Sequence, residues 1–259
     1  MDILSNPTGL FVAKRKVPVA GERDTFAASS DGTVTNFLSA GDTSTLRITA
    51  ESTFILGGWV NVDTLPASFG TFITKGDIAE GEETYSIGIR SDAKLNVSAA
   101  QTSVGNSVNV LSTGTLDVDT DYFVLMWSDP ASDLLKVSIN MGVADTVAID
   151  SAALTDFGGS FTAFANPVTA SWGLDGTMDE WFFCKNPASL ANALTLIDST
   201  IYAAGVGAHY SDLTSGNKTT LGLVSWWTFD EESSQTRQDS HGTNHLTLNG
   251  TISAAAKLV

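Results

Sequence analysis

The sequence predicts an all-β fold: an antiparallel jelly-roll sandwich with one short helix packed on it. Three observations carry this. Short apolar segments alternate with polar residues at period two, turn residues separate them about every 8 to 12 residues, and one stretch, 187–203, holds a helical period. The chain has 259 residues, 42% of them hydrophobic, with 13 Phe and 6 Trp, which is enough apolar area for one substantial core over residues 24–259.

Residues 1–23 contain Pro7, Gly9, Pro18 and Gly21 without sustained periodicity and read as an extended arm. From Phe26 onward strands dominate. Tyr85, Ile87 and Ile89 alternate with Ser86, Gly88 and Arg90; Leu95 and Val97 alternate with Asn96 and Ser98; Val137 and Ile139 alternate with Lys136, Ser138 and Asn140. Each pattern places one face in a core and the other toward water, as antiparallel sheets do. Two segments, Phe54 to Val60 and Tyr122 to Trp127, are apolar on both faces and so belong mid-sheet. Asp129 to Asp133 supplies turn chemistry around Pro130, which predicts a hairpin between 122–128 and 134–140. The helix is signalled by Asn186 as cap, Pro187 at the first position, and Leu190, Leu194, Ile197 and Ile201 along one stripe.

The formal charge is −16, a field that repels nucleic acid and anionic membranes, so neither is expected as a partner. The arm differs: Lys14, Arg15, Lys16 and Arg23 face only Asp2 and Glu22, and the arm reads either as a dock for an acidic partner or as an ordinary solvated tail. Cys184 is the single cysteine, which excludes an intrachain disulfide framework; between Phe183 and Lys185 it reads as a small buried hydrophobe. No leader of signal-peptide form and no run of 18 apolar residues is visible.

Near the end stand Trp226-Trp227-Thr228-Phe229-Asp230-Glu231 and then Asp239-Ser240-His241-Gly242-Thr243-Asn244. This resembles the W-x-x-D-E strand and D-S-x-G-x-N loop of the laminin-G-like and pentraxin-like lectin family, whose fold is the concanavalin A-type jelly roll. Other stretches are similar to successive parts of that family: Asp42 to Val60, Leu65 to Asp77 with its K-G-D ending, Tyr122 to Asn140, and Gly173 to Trp181 followed by Asn186 to Leu190. The resemblance covers roughly residues 26–251. It departs in order, because the W-x-x-D-E segment opens such domains and here stands last. Residues 223–251 therefore complete the sandwich as a permuted terminal strand, begin a second repeat, or pair with a neighbouring subunit. In each case Trp226 and Trp227 should be buried.

The resemblance implies a structural calcium ion with Asp179, Asp239 and Asn244 as oxygen ligands. The competing reading is that these side chains order their loop by hydrogen bonds to backbone. The acids between Lys75 and Thr84 read as a solvated hairpin tip, and no transition-metal role is expected of His241. Trp59, Trp127 and Trp181 lie in apolar strands and read as core, which leaves Trp172, Tyr210 and Trp226 as candidate glycan platforms. Adjacent strand residues point to opposite faces, so Asp179 and Glu180 should not form a glycosidase pair, and no zinc, nucleotide or nucleophile motif is present. The expectation is a non-enzymatic virion surface protein, a phage head decoration, fibre or similar subunit, binding other virion proteins or itself as a homo-oligomer and taking host or environmental glycans. The alternative is an extracellular, calcium-stabilised carbohydrate-binding module.

Overall fold

The computed structural model describes residues 26–77, 82–102, 107–166, 172–233 and 235–258. The arm with Lys14, Arg15, Lys16 and Arg23, and the tip of the acidic hairpin at 78–81, lie outside them. Among the described residues fifteen strands follow in order: β1 (Phe26–Asp31), β2 (Phe37–Ala40), β3 (Phe54–Thr64), β4 (Phe69–Asp77), β5 (Glu82–Arg90), β6 (Lys94–Ala100), β7 (Ser107–Thr115), β8 (Asp121–Asp129), β9 (Leu134–Ile139), β10 (Asp145–Ala148), β11 (Phe161–Ala163), β12 (Asp175–Lys185), β13 (Leu223–Trp227), β14 (Thr247–Asn249) and β15 (Ser253–Ala256). They form two antiparallel sheets, one ordered β10-β9-β8-β3-β12-β1-β15 with β13 also on β12, the other β14-β2-β11-β4-β5-β6-β7.

The two segments apolar on both faces are β3 and β8, neighbours in the middle of the larger sheet. Their alternate residues serve two cores. Phe54, Leu56, Val60, Val124 and Met126 face the smaller sheet. Ile55, Trp59, Phe123, Leu125 and Trp127 face outward, beneath a helical layer. The predicted hairpin is β8–β9, in register from Val124–Ile139 to Asp129–Leu134.

The helical layer departs from expectation at its start. Helix α1 (Leu190–Leu196) is capped by Ser189, whose Oγ accepts from Asn192 N, and continues through a wider turn at Ile197–Tyr202. Asn186 instead takes a left-handed conformation (φ 49°) and exchanges hydrogen bonds with Thr53 through its backbone and side chain, so it turns the chain out of β12 rather than capping. Ile197 and Ile201 are fully buried in the outer core, and Leu190 and Leu194 pack against it. A second helix, α2 (Ser215–Leu221), was not predicted. Thr214 caps it, and Gly222 ends it at φ 62°, where a Cβ would stand 2.5 Å from Lys185 O.

The chain's last quarter is shared between the sheets. β13 and β15 join the larger sheet through β12 and β1, and β14 extends the smaller one beside β2. Trp226 and Trp227, adjacent in sequence, point to opposite faces and are both fully buried. Trp227 stacks on Phe161 in the inner core at 4.9 Å, and Trp226 stacks on Phe182 in the outer core at 5.2 Å. Cys184 is buried in the outer core, and burial pushes its thiol far above the ordinary range, which makes it an inert packing group.

Candidate functional site

Pairing across the smaller sheet separates apolar from polar residues. Leu38, Ala163, Ile73, Ile87, Val97 and Val110 form one cross-strand row on the core side. The adjacent row, on the outer side, is Ser39, Thr162, Thr74, Ser86, Ser98 and Asn109. Ser86 and Ser98 hydroxyls bond each other at 2.8 Å, while the hydroxyls of Thr71, Thr74 and Thr162 are buried without a hydrogen-bond partner. Such groups are costly unless something completes their bonding.

At one end of this outer face, Trp172, Phe69, Arg90, Asn96, Ala67, Ser68 and Ser91 line a shallow cleft of about 320 Å³. Thr71 N donates to Trp172 O, which fixes the Trp172 backbone against β4, and the indole meets Phe69 edge-on at 4.7 Å. Phe69 is buried and Trp172 is partly exposed. Opposite, Asn96 Oδ1 is a buried acceptor with no partner, and the Arg90 guanidinium lies 3.4 Å from the exposed Asp92. A second cleft, about 240 Å³, holds Asp31, Asp63 and Asp175 but no aromatic ring.

The other predicted platforms differ from Trp172. Trp226 has no exposed face, so its assignment as a platform is corrected: it is sandwiched in the outer core, and its Nε1–H donates to Glu180 Oε2. Tyr210 is half-buried against Trp226, with the Lys218 ammonium 3.6 Å from its ring centroid and its hydroxyl 3.2 Å from His241 Nδ1. Its ring is already engaged by protein groups.

The three expected calcium ligands do not converge. Asp239 orders its own loop: Oδ1 accepts from the backbone N–H groups of Trp226, His241 and Gly242, and Oδ2 from that of Asn244. Asn244 Oδ1 accepts from the hydroxyls of Thr43 and Thr45, and its Nδ2 donates to Ser225 Oγ. Asp179 belongs to another group of contacts, in which Oδ2 accepts from Leu258 N at 3.0 Å.

That second group was invisible to the alternation rule. On one edge of β12 the pairing with β3 slips between Asp179 and Phe182, a bulge that sets Glu180 and Trp181 against Gly58. Gly58 is required there, since a Cβ would lie 2.5 Å from the Trp181 indole. On the other edge β1 pairs up to Met178 and β13 begins at Trp181, so Asp179 and Glu180 occupy the gap. Glu180 adopts φ 49°, and the bulge adds a residue to the outer side. Asp179 and Glu180 therefore both project outward, correcting the expected opposition: their partners Leu258 and Trp226 both belong to the outer core. His209 and Asp230 complete the group, the imidazole Nε2 lying 3.1 Å from Asp230 Oδ2 and 3.4 Å from Glu180 Oε1. Burial pushes Asp179 and Glu180 well above the carboxylate range, reinforced at Glu180 by the Asp179 charge and at both by Asp230, and opposed by hydrogen bonds from Leu258 and Trp226 and by Lys257.

No protein-family profile and no curated protein matches the sequence. Among solved structures, the chain is similar to a Bacteroides ovatus protein, provisionally assigned as carbohydrate-binding, with a TM-score of 0.63 at 16% identity over 91% of this chain. The chain spans 60% of the length of that protein. It is also similar to the heptameric SAP-like pentraxin of Limulus polyphemus, with a TM-score of 0.58 at 10% identity, covering 92% of this chain and 98% of the pentraxin. These likenesses establish the fold as a lectin-like jelly roll.

Proposed function

We propose that this chain is a non-enzymatic, extracellular glycan-binding module that takes sugar against Trp172, on the outer face of the smaller sheet. One observation carries the reading: a partly exposed indole shares its cleft with Asn96, whose Oδ1 has no protein donor. A pyranose presents an apolar C–H face to stack on such a ring and hydroxyls to donate to such an oxygen. The cleft, about 320 Å³, is at the small end of ligand pockets, roughly 300 to 1,000 Å³, and suits one sugar unit of a longer glycan. The provisional carbohydrate binding of the Bacteroides neighbour supports the same class. Hydrolysis is not part of the reading, because Asp179 and Glu180 are buried under the helical layer and chain end instead of lining a cleft.

The test is a glycan array probed with the intact chain and with Trp172→Ala, followed by calorimetry on the strongest ligand. Binding by the parent and its loss in the variant are expected; a blank array for the parent contradicts the proposal. The virion-surface alternative includes docking through the basic arm, which lies outside the described residues, and deleting residues 1–23 tests that docking: a truncated protein that still assembles on particles defeats the docking-arm idea. Self-association belongs to both readings in different degree. A stable trimer or larger by light scattering favours the virion role, and a monomer favours the module.

A further inference from the structure

The charge of the Trp172 cleft runs against that of the chain. The formal charge is −16, yet among the described residues Arg90 is the one ionisable side chain in the cleft lining. The backbone fixes where this cation stands. Arg90 ends β5 directly opposite Phe69 on β4, and Ser91 N donates to Ser68 O at 3.0 Å, so the two strand ends that carry Phe69 and Arg90 are tied together. The turn that follows is tight, with Ala93 at φ 63° and its N–H donating to Arg90 O at 3.0 Å.

Other cations of the chain are already engaged. Lys75 and Lys136 each hold an aspartate at 2.8 Å, Arg47 pairs with Asp42 and Asp156, Lys185 donates to Arg47 O, and Lys218 covers the Tyr210 ring. Arg90 differs from these. Among the described residues its guanidinium makes no hydrogen bond, and its ion pair is Nε to Asp92 Oδ1 at 3.4 Å, between side chains 43% and 46% exposed. A pair so open to water is weak and exchanges readily for another anion.

The guanidinium offers a planar fork of N–H donors that matches the two oxygens of a carboxylate. Asn96 Oδ1, an acceptor without a protein donor, suits a hydroxyl, and the Trp172 ring suits an apolar face. A uronic or sialic acid carries all three on one ring. A neutral sugar leaves the fork in water, and an amino sugar meets a like charge. The overall negative field opposes any anion, but physiological salt screens it beyond about 8 Å, so the charge in contact decides.

Resting on the glycan-binding reading, we propose that the Trp172 cleft selects an acidic sugar, a uronic or sialic acid whose carboxylate is received by Arg90. The test is calorimetry of the intact chain with matched oligosaccharides ending in glucuronic acid or in sialic acid, the carboxyl-reduced form of each, and a sulfated form of the neutral one. At least one acidic probe should bind about tenfold more tightly than its reduced and sulfated counterparts, and which acid does so identifies the ligand. Arg90→Gln should abolish that preference with Tm unchanged, since the side chain is exposed, and Asp92→Asn, which removes the competing carboxylate, should strengthen binding of the acid. Lys94→Gln controls for net charge: Lys94 stands two residues before Asn96 on the same side of β6 but outside the cleft lining, so its loss should leave the preference intact. Affinity for a reduced or sulfated probe equal to that for the acids, a preference that survives Arg90→Gln, or an equal loss in Lys94→Gln would overturn the acidic-sugar assignment and leave sugar binding at Trp172 standing. No binding of any probe by the parent, together with a blank array, would overturn both.

Discussion

The outer faces of the two sheets are built on opposite plans. Over the larger sheet, Trp59, Phe123, Phe182 and Trp226 lie under two short helices, and the buried carboxylates Asp179 and Glu180 stand at one gap in β12. Over the smaller sheet, a row of Ser, Thr and Asn crosses the strands from Ser39 to Asn109, and a partly exposed Trp172 lies at one end of the same face. One face is filled by aromatic and aliphatic side chains; the other carries a cross-strand row of hydroxyl and amide side chains. The proposed recognition uses the smaller sheet, while the chain end packs over the larger one through Leu258 N on Asp179 Oδ2.

Substituting the two tryptophans breaks this comparison most sharply. Trp226→Ala opens a cavity in the outer core and strips Glu180 of its donor, and should cost about 4 kcal/mol in urea unfolding. Equal costs for Trp226→Ala and Trp172→Ala would remove the distinction. Next in size, Asp239→Ala releases four backbone N–H groups and should cost about 3 kcal/mol. A cost no larger than that of Trp172→Ala would show that these four bonds do not order the loop.

The raised carboxylates give a pH dependence with a defined sign. The folded protein holds the protons of Asp179 and Glu180 more tightly than the unfolded chain does. Their favourable contribution is complete below the ordinary carboxylate range, about 4, and is lost as pH climbs through the raised values. In chelator, Tm should fall as pH rises from there, and Glu180→Gln should flatten the fall; a Tm that instead rises over this range contradicts the burial argument. The smallest effect on stability is expected at the smaller sheet: Trp172→Ala should cost about 1 kcal/mol or less while removing glycan affinity.

Much of this plan was legible from periodicity. Strands apolar on both faces, β3 and β8, had to lie between two covering layers, and Tyr85, Ile87 and Ile89 had to face the inner core. The site was less legible because its rules are exceptions. Period two assumes a regular pleat, and nothing in Asp179-Glu180 announces a bulge with Glu180 at φ 49°; the Gly57-Gly58 pair opposite was the available hint. Trp226 was expected to be buried, yet also stood as a platform, because the groups that enclose it, Phe182 and Tyr210, come from distant sequence. Helix α2 had its Thr214 cap and Gly222 stop, but its interior of Gly216, Asn217, Thr219 and Thr220 carries little helical propensity.

Hydrogen–deuterium exchange of the intact protein, with and without the strongest array ligand, tests the division between the two faces most directly. Added protection is expected in β4, β5 and β6 around Phe69, Arg90 and Asn96, with exchange in α1, α2 and β13 unchanged. Protection that appears over the helices and β13 instead would place recognition on the larger sheet and contradict the account.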